Sequence, residues 1–273
     1  MPSSPSPVWD PRQYLRHSGN RARPLHDLLA RVPELPRSGP RIADLGCGPG
    51  GPSTPLAARW PTAHLTGYDN SPAMLEEARA LAGPTEGGGS IDFVHADLAH
   101  WRPGPGEVFD LIFSNAALQW VPGHTASFPA WVDGLTPGGV LAFQVPGNSA
   151  APSHALFAEL CASPRWRGKL GGDGPPRGTV LDPAGYHEAL AALGCEVDTW
   201  ETTYLHVLEG EDAVLDWVKG TALRPVLSRL DGDEEARDAF LAEYGEALRA
   251  AYPPGPYGTP FPFRRVFAVA RKR

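Results

Sequence analysis

The first residues whose types and spacing could do chemistry are Asp44-Leu45-Gly46-Cys47-Gly48-Pro49-Gly50, which close a short apolar run at 41–45. Glycines at alternate positions let a chain turn tightly after a strand and let its backbone approach a ligand that a Cβ would exclude. The next apolar run, 64–68, ends at Asp69, where a carboxylate can accept both hydroxyls of a ribose. The run after it leads into Ala96-Asp97-Leu98, and Asp97 can accept from the exocyclic amine of adenine. A turn or a helix cap would explain any one of these features. Three in succession, each at a strand end, supply the groups that an adenosine needs.

Two ligand classes share that layout and differ at the glycine loop. A pyrophosphate calls for Gly-x-Gly-x-x-Gly with a helix N-terminus aimed at it. Here the spacing is Gly-x-Gly-x-Gly, preceded by Asp44. An acidic group beside the loop repels phosphate and suits a cationic sulfonium with its ammonium, so charge favours a methyl donor over a dinucleotide.

Positioning these residues requires alternating strands and helices. Apolar runs at 41–45, 64–68, 91–94, 109–114 and 140–145 read as buried strands, and 53–60, 72–81 and 126–135 as helices, the second opened by Ser71 as cap and Pro72 in the first turn. One or two entry helices are expected within 14–32. The repeat predicts an α/β fold: a doubly wound, mostly parallel, seven-stranded Rossmann-like sheet with helical cap insertions. Beyond Pro146 the pattern degrades, and Ser163 to Thr179 is rich in Gly and Pro, too long for a plain connection. The expected organisation is a flexible N-terminus at 1–11, N-terminal helices and the ligand-binding core at 12–147, and a lid-like insertion at 148–182. A core helix and strand at 183–208, a helical cap at 209–260 and a last core strand at 261–273 complete it.

Composition sets bounds. The chain has 273 residues, a net charge of −7 and 31 each of Gly and Pro. That charge repels a phosphate backbone, so nucleic acid is not the expected partner. Of 24 basic residues only Lys169, Lys219 and Lys272 are lysine; the arginines suit forked recognition of carboxylates, although coding bias explains such an excess as well. Cys47, Cys161 and Cys195 have no close spacing, which argues against a zinc site or a disulfide framework. With no apolar stretch of membrane-spanning length and no signal-like start, the expectation is a cytoplasmic protein without membrane or metal.

The glycine loop, Gly67-Tyr68-Asp69-Asn70-Ser71-Pro72-Ala73-Met74-Leu75 and Asp110 to Trp120 (DLIFSNAALQW) resemble the class I S-adenosylmethionine-dependent methyltransferases. The flanking Trp9-Asp10-Pro11 with Tyr14-Leu15, Leu56 to Pro61 (LAARWP), Gln144-Val145-Pro146-Gly147-Asn148, Trp200 to Tyr204 (WETTY) and Trp217 to Pro225 (WVKGTALRP) resemble, within that class, the trans-aconitate methyltransferases. The resemblance implies S-adenosylmethionine as cofactor, with Gly46, Gly48 and Gly50 at its methionine part, Asp69 at the ribose, and Asp44, Asn70 and Met74 among the cofactor-binding residues. It implies Asp97 and Leu98 at the adenine, Asn115 and Ala116 at the methionyl group, and Gln119 and Trp120 bordering the transfer site. The sequence departs from the family at Gly51-Pro52-Ser53, followed by Pro55, which puts the start of the next helix in question.

The implied reaction is esterification of one carboxylate of a small tricarboxylic acid. Such a nucleophile is already ionised at neutral pH, with a pKa near ~4, so no general base is needed; alignment and removal of water carry the reaction. The candidates for holding this anionic substrate are Arg21, Lys219 and Arg224 as cations, with Tyr14, His154, Trp120, Trp200 and Tyr204 as walls or donors. Two alternatives stay open: methylation of a phenol or natural-product hydroxyl, with His154 as base, and a non-catalytic cofactor-binding protein of the same fold.

Overall fold

The computed structural model describes residues 18–170, 180–220 and 223–273. The chain forms one eight-stranded sheet: β1 (Arg41–Leu45), β2 (His64–Asp69), β3 (Gly83–Pro84), β4 (Ser90–His95), β5 (Phe109–Asn115), β6 (Leu135–Pro146), β7 (Cys195–Leu208) and β8 (Thr259–Lys272), in the order β3-β4-β2-β1-β5-β6-β8-β7. Strand pairs β4/β2, β2/β1, β1/β5 and β5/β6 are parallel, whereas β3 against β4 and β8 against β6 are antiparallel. Eight strands stand where seven were expected, the extra one being the two-residue β3 at the sheet edge. The order reverses direction between β1 and β5, and ligands of open α/β sheets bind outside the carboxyl ends of the strands at such a switch.

The chain divides into two compact units. The larger holds 21–147, 179–202 and 265–273. Its strands are apolar because both faces are covered: every residue of β5 is buried, and Phe128, Trp131, Phe143 and Tyr186 pack in the core. The smaller contains 148–178 and 203–264, with a core of its own built on Phe157, Trp166, Trp217, Phe240, Tyr244 and Phe261.

Several expected elements shift. The helix at 72–81 splits into Pro72–Ala78 and a 3-10 turn Arg79–Leu81. The segment 126–135 is a 3-10 turn, His124–Ser127, then a helix, Phe128–Asp133. Within 148–182 the structure has helices Pro152–Ala162 and Arg167–Leu170, the second inside the Gly- and Pro-rich segment 163–179; 171–179 lie outside the described residues, as does the N-terminal stretch 1–11. The doubted helix start is regular. The helix is Ser53–Arg59, and Pro52 precedes it without a side-chain cap.

One ion pair, between buried Asp110 and the partly exposed Arg37, ties the start of β5 to the chain entering β1. Asp110 is fully buried and its carboxylate accepts from Arg37 Nε (2.8 Å), the Arg41 backbone N–H (2.8 Å) and Thr136 Oγ1 (3.0 Å). Replacing Asp110 with alanine leaves these donors without their acceptor and is expected to cost about 3 kcal/mol in urea unfolding. Asp110 begins β5, whereas the carboxyl ends of the strands form the other edge, so ligand affinity in the folded variant should stay within about twofold of the unmodified chain.

Candidate cofactor and methyl-transfer site

The glycine loop leaves β1 and folds back on β2: the N–H groups of Gly46 and Cys47 both donate to the Tyr68 carbonyl, at 2.7 and 3.1 Å. Gly46, Gly48 and Gly50 all have positive φ (77°, 55° and 86°), a region L-residues avoid. Their reasons differ. A Cβ on Gly46 would stand 2.2 Å from the Ala117 Cβ, whereas one on Gly48 would meet nothing within 4 Å. Gly46 is therefore required by packing, and Gly48 opens onto free space.

Asp44 lies beneath the loop, fully buried. Its Oδ2 accepts from Ser53 Oγ at 2.7 Å, and its Oδ1 has no hydrogen-bond partner. Burial, opposed by the Ser53 hydrogen bond and assisted by nearby Asp69, pushes the carboxyl up to about 7. An orphaned buried carboxylate oxygen costs free energy unless a ligand donates to it. Ser53 is the first residue of the helix Ser53–Arg59, so the start of that helix supplies the donor on Asp44.

At the end of β2, Asp69 Oδ2 accepts the Gly48 N–H (3.0 Å) and Oδ1 the Ser71 N–H (2.9 Å). Each oxygen retains a lone pair for a hydroxyl. Burial raises its pKa, partly offset by those N–H groups. Asn70 follows directly, and Met74 is buried in the helix that Ser71 caps. Asp97 Oδ1 accepts the Ala99 N–H (3.0 Å) and Oδ2 faces His100 Nδ1 (2.9 Å); the Ala99 N–H is the main cause that holds its carboxyl below the usual range. Leu98 is buried and its Cδ1 faces the Gly46 Cα region.

After β5, Ala116 adopts φ 56°, alone in that region among the described non-glycine residues. Strain of this kind costs about 1 kcal/mol or more and clusters at functional sites. It is held by two contacts: Ala116 N–H donates to the Gln144 carbonyl (3.0 Å), and its own carbonyl accepts from Gln119 Nε2 (2.6 Å). Trp120 ends the following 3-10 turn partly exposed. Beyond it, buried His124 pairs with Tyr186 Oη (2.8 Å) and with the Val121 carbonyl. A carbonyl only accepts, so Nδ1 carries the proton and Nε2 accepts from the tyrosine. Burial lowers the His124 pKa and keeps it in this neutral form. Neither His124 nor Tyr186 is marked by local sequence, since their meeting is tertiary.

The cofactor candidates Asp44 to Gln119, with Trp120, all belong to the larger unit, at the ends of β1, β2, β4 and β5. Trp200 is there too, its ring stacked on Phe267 (4.7 Å between centroids, 5° between planes) under the Arg31 guanidinium. His154, Tyr204 and Lys219 lie in the smaller unit. There His154 Nδ1 faces Ser153 Oγ at 3.2 Å, Tyr204 is buried, and Lys219 pairs with Asp216 at 3.2 Å. Tyr14 lies outside the described residues, and of Arg21 and Arg224 only the backbone is described. No group of acidic, histidine or cysteine side chains among the described residues could hold a metal ion, and no described helix is long and apolar enough to cross a membrane.

A family model described as a methyltransferase domain matches residues 42–139. Proteins named trans-aconitate 2-methyltransferase match almost end to end. The one from Streptomyces coelicolor is 63% identical over 272 residues, covering 100% of this chain and 89% of its own; that from Streptomyces avermitilis is 63% identical, covering 97% of each; that from Rhodococcus jostii is 46% identical, covering 97% and 99%. The chain belongs to the trans-aconitate 2-methyltransferase family. It is an S-adenosylmethionine-dependent methyltransferase. Among solved structures, the Haemonchus contortus phosphoethanolamine N-methyltransferase 2 with S-adenosyl-L-methionine matches at TM-score 0.54 and 15% identity, covering 96% of this chain and 56% of that one. The cyclase SpnF matches at 0.55 and 18%, covering 97% and 86%. At these identities the shared feature is the fold, which hosts more than one chemistry. The family's cofactor fits the residues present: an orphaned Asp44 oxygen for a cation, open space over Gly48, and carboxylates with free lone pairs at Asp69 and Asp97.

Proposed function

We propose that this enzyme esterifies one carboxylate of trans-aconitate or a closely related tricarboxylic acid. The observation that carries the reading is the reach of the likeness: 63% identity extends over the whole chain, including the smaller unit and the segments outside 42–139 that a generic methyltransferase domain does not cover. When bound, S-adenosylmethionine supplies an electrophilic methyl group, which a carboxylate oxygen takes to leave a methyl ester and S-adenosylhomocysteine.

In this reading the chain's own residues bind, orient and exclude water. Asp44 faces the ammonium end of the cofactor, with Gly46, Gly48 and Gly50 giving room for its methionine part. Asp69 receives the ribose hydroxyls beside Asn70 and Met74, and Asp97 with Leu98 frames the adenine. Asn115, Ala116, Gln119 and Trp120 border the reacting centre. Lys219, Arg21 and Arg224 remain the proposed cations for the substrate's other carboxylates, with Tyr14, His154, Trp200 and Tyr204 as further contacts. No side chain is assigned as general base, because an ionised carboxylate needs none.

The test is direct. Purified enzyme with labelled S-adenosylmethionine and trans-aconitate should form a base-labile methyl ester, and kcat at saturating cofactor should show no inflection between about pH 5 and 8, a window that reaches below the ordinary histidine value of ~6.5 because burial lowers the pKa of His154. Reaction with a panel of phenols but not with tricarboxylates, with a kcat that falls on the acid side, would replace this reading by the His154-base alternative.

A further inference from the structure

We propose that Arg265, acting through Gln144, fixes Asn115 as a hydrogen-bond donor to a ligand carboxylate at the end of β5. This inference deepens the function proposed above and rests on it for the identity of the acceptor.

The register places the three residues together. Asn115 and Gln144 stand opposite each other on β5 and β6, Gln144 is opposite Phe267 on β8, and Arg265 lies two residues from Phe267. With a side-chain period of two, Arg265, Phe267, Gln144 and Asn115 share one face of the sheet. All three polar residues of the group are buried, at 6%, 1% and 9% exposure for Arg265, Gln144 and Asn115.

Their hydrogen bonds run in one direction. A guanidinium can only donate, so the Gln144 atom 3.4 Å from Arg265 Nη1 is Oε1, and the amide nitrogen is turned the other way. Gln144 Nε2 lies 2.6 Å from Asn115 and must find an acceptor there, which is Oδ1. Amide orientation is ordinarily ambiguous, but a donor-only group at one end of a chain of amides removes the ambiguity for every member. The Asn115 Nδ2 therefore points away from Gln144. It donates to no described residue.

The Asn115 amide stands at the carboxyl end of β5 beside the left-handed Ala116, where a ligand at the strand ends can accept from it. The buried charge of Arg265 polarises the amides toward the ligand and makes an anionic acceptor the better partner, since charge-assisted bonds are roughly twice as strong as neutral ones. One strand away, Asp44 presents the opposite charge, opposite Phe113 in the β1/β5 register. The switch between β1 and β5 is thus dressed for a zwitterion on one side and a carboxylate on the other. Two ligand carboxylates could use the Asn115 donor: that of the cofactor's methionyl group and that of the acceptor acid. In this proposal Arg265 and Gln144 act through Asn115 and are positioning residues.

Asn115→Asp is nearly isosteric and replaces the donor by an acceptor. We expect at least a tenfold rise either in the S-adenosylhomocysteine Kd by calorimetry, which assigns the cofactor carboxylate, or in the KM for trans-aconitate with that Kd within twofold, which assigns the acceptor. Gln144→Glu separates positioning from mere packing. A glutamate there pairs with Arg265 and keeps the fold, but it cannot donate to Asn115, whose amide turns over and shows its oxygen to the ligand. This variant should melt at or above the unmodified temperature and still reproduce the Asn115→Asp defect in the same ligand. Arg265→Lys should retain more of that ligand's binding than Arg265→Met. The proposal is overturned if Asn115→Asp binds both ligands normally, or if Gln144→Glu is stable and binds the affected ligand normally. If the unmodified enzyme forms no ester with trans-aconitate, the proposed function fails, while the S-adenosylhomocysteine Kd of the same variants still tests the donor role of Asn115.

Discussion

Asp44→Asn is expected to bind S-adenosylhomocysteine about a hundredfold more weakly than the unmodified enzyme at pH 8, and yet to resist denaturant better. Both effects come from one buried group. In the ligand-free fold the Asp44 carboxyl is raised from 3.8 to about 7, chiefly by burial. The folded chain therefore holds a proton there that the unfolded chain has already released between these two values. By linkage, the stability of the ligand-free protein falls as pH rises through that window. Asparagine keeps an oxygen for Ser53 Oγ and carries no charge, so above neutral pH the variant should gain ~2–4 kcal/mol in urea unfolding. A cofactor ammonium against the orphaned Oδ1 reverses the account: it stabilises the carboxylate and drives the proton off. Below pH 7 the Kd of the unmodified enzyme should therefore rise about tenfold per pH unit, with close to one proton released per ligand bound, measurable by calorimetry in buffers of different ionisation enthalpy. Asp44→Asn should show a flat Kd over the same range. A proton-independent Kd in the unmodified enzyme would remove Asp44 from the ligand's cation.

The positions of the three carboxylates were legible because each closes a short apolar run, and a strand buried on both faces advertises itself as such a run. Asp44, Asp69 and Asp97 needed only local reading, and the helix at 72–78 announced itself by Ser71 and Pro72. What lay hidden depends on partners far away in sequence. Gln144 and Arg265 are 121 residues apart and meet only through the antiparallel return of β8. Ala117 explains Gly46 by touching it, which no local pattern records. The helix Pro152–Ala162 begins at Ala151 with no side-chain cap, so its entry gives no signal, although Phe157 and Cys161 sit at helical spacing. Trp200 shows the same limit: an aromatic on a strand does not say what lies against it, and Phe267 and Arg31, which pack on its ring, are distant in sequence.

Gly46→Ala and Gly48→Ala, two identical changes two residues apart, are expected to fail in different ways. At Gly46 the backbone is left-handed and the new Cβ would stand 2.2 Å from the Ala117 Cβ, with Leu98 Cδ1 at 3.5 Å. Carbon atoms rest at about 3.5–4.0 Å, so Ala117 must retreat by more than an ångström, pulling on Ala116, which is already strained and tied to Gln144 and Gln119. The expected cost is about 3 kcal/mol of stability, together with loss of measurable S-adenosylhomocysteine binding. At Gly48 the φ is also positive but the space is open, so stability should fall by only about 1 kcal/mol. The Gly48 methyl group would occupy the room proposed for the methionine part of the cofactor, and affinity should drop at least tenfold with the fold intact. Gly51→Ala, where φ is ordinary and no atom lies within 4 Å, serves as the reference and should match the unmodified enzyme in urea unfolding. Normal binding by Gly48→Ala would mean that the loop's open side faces solvent rather than cofactor, because at this position there is no clash within the protein to confuse with a loss of ligand.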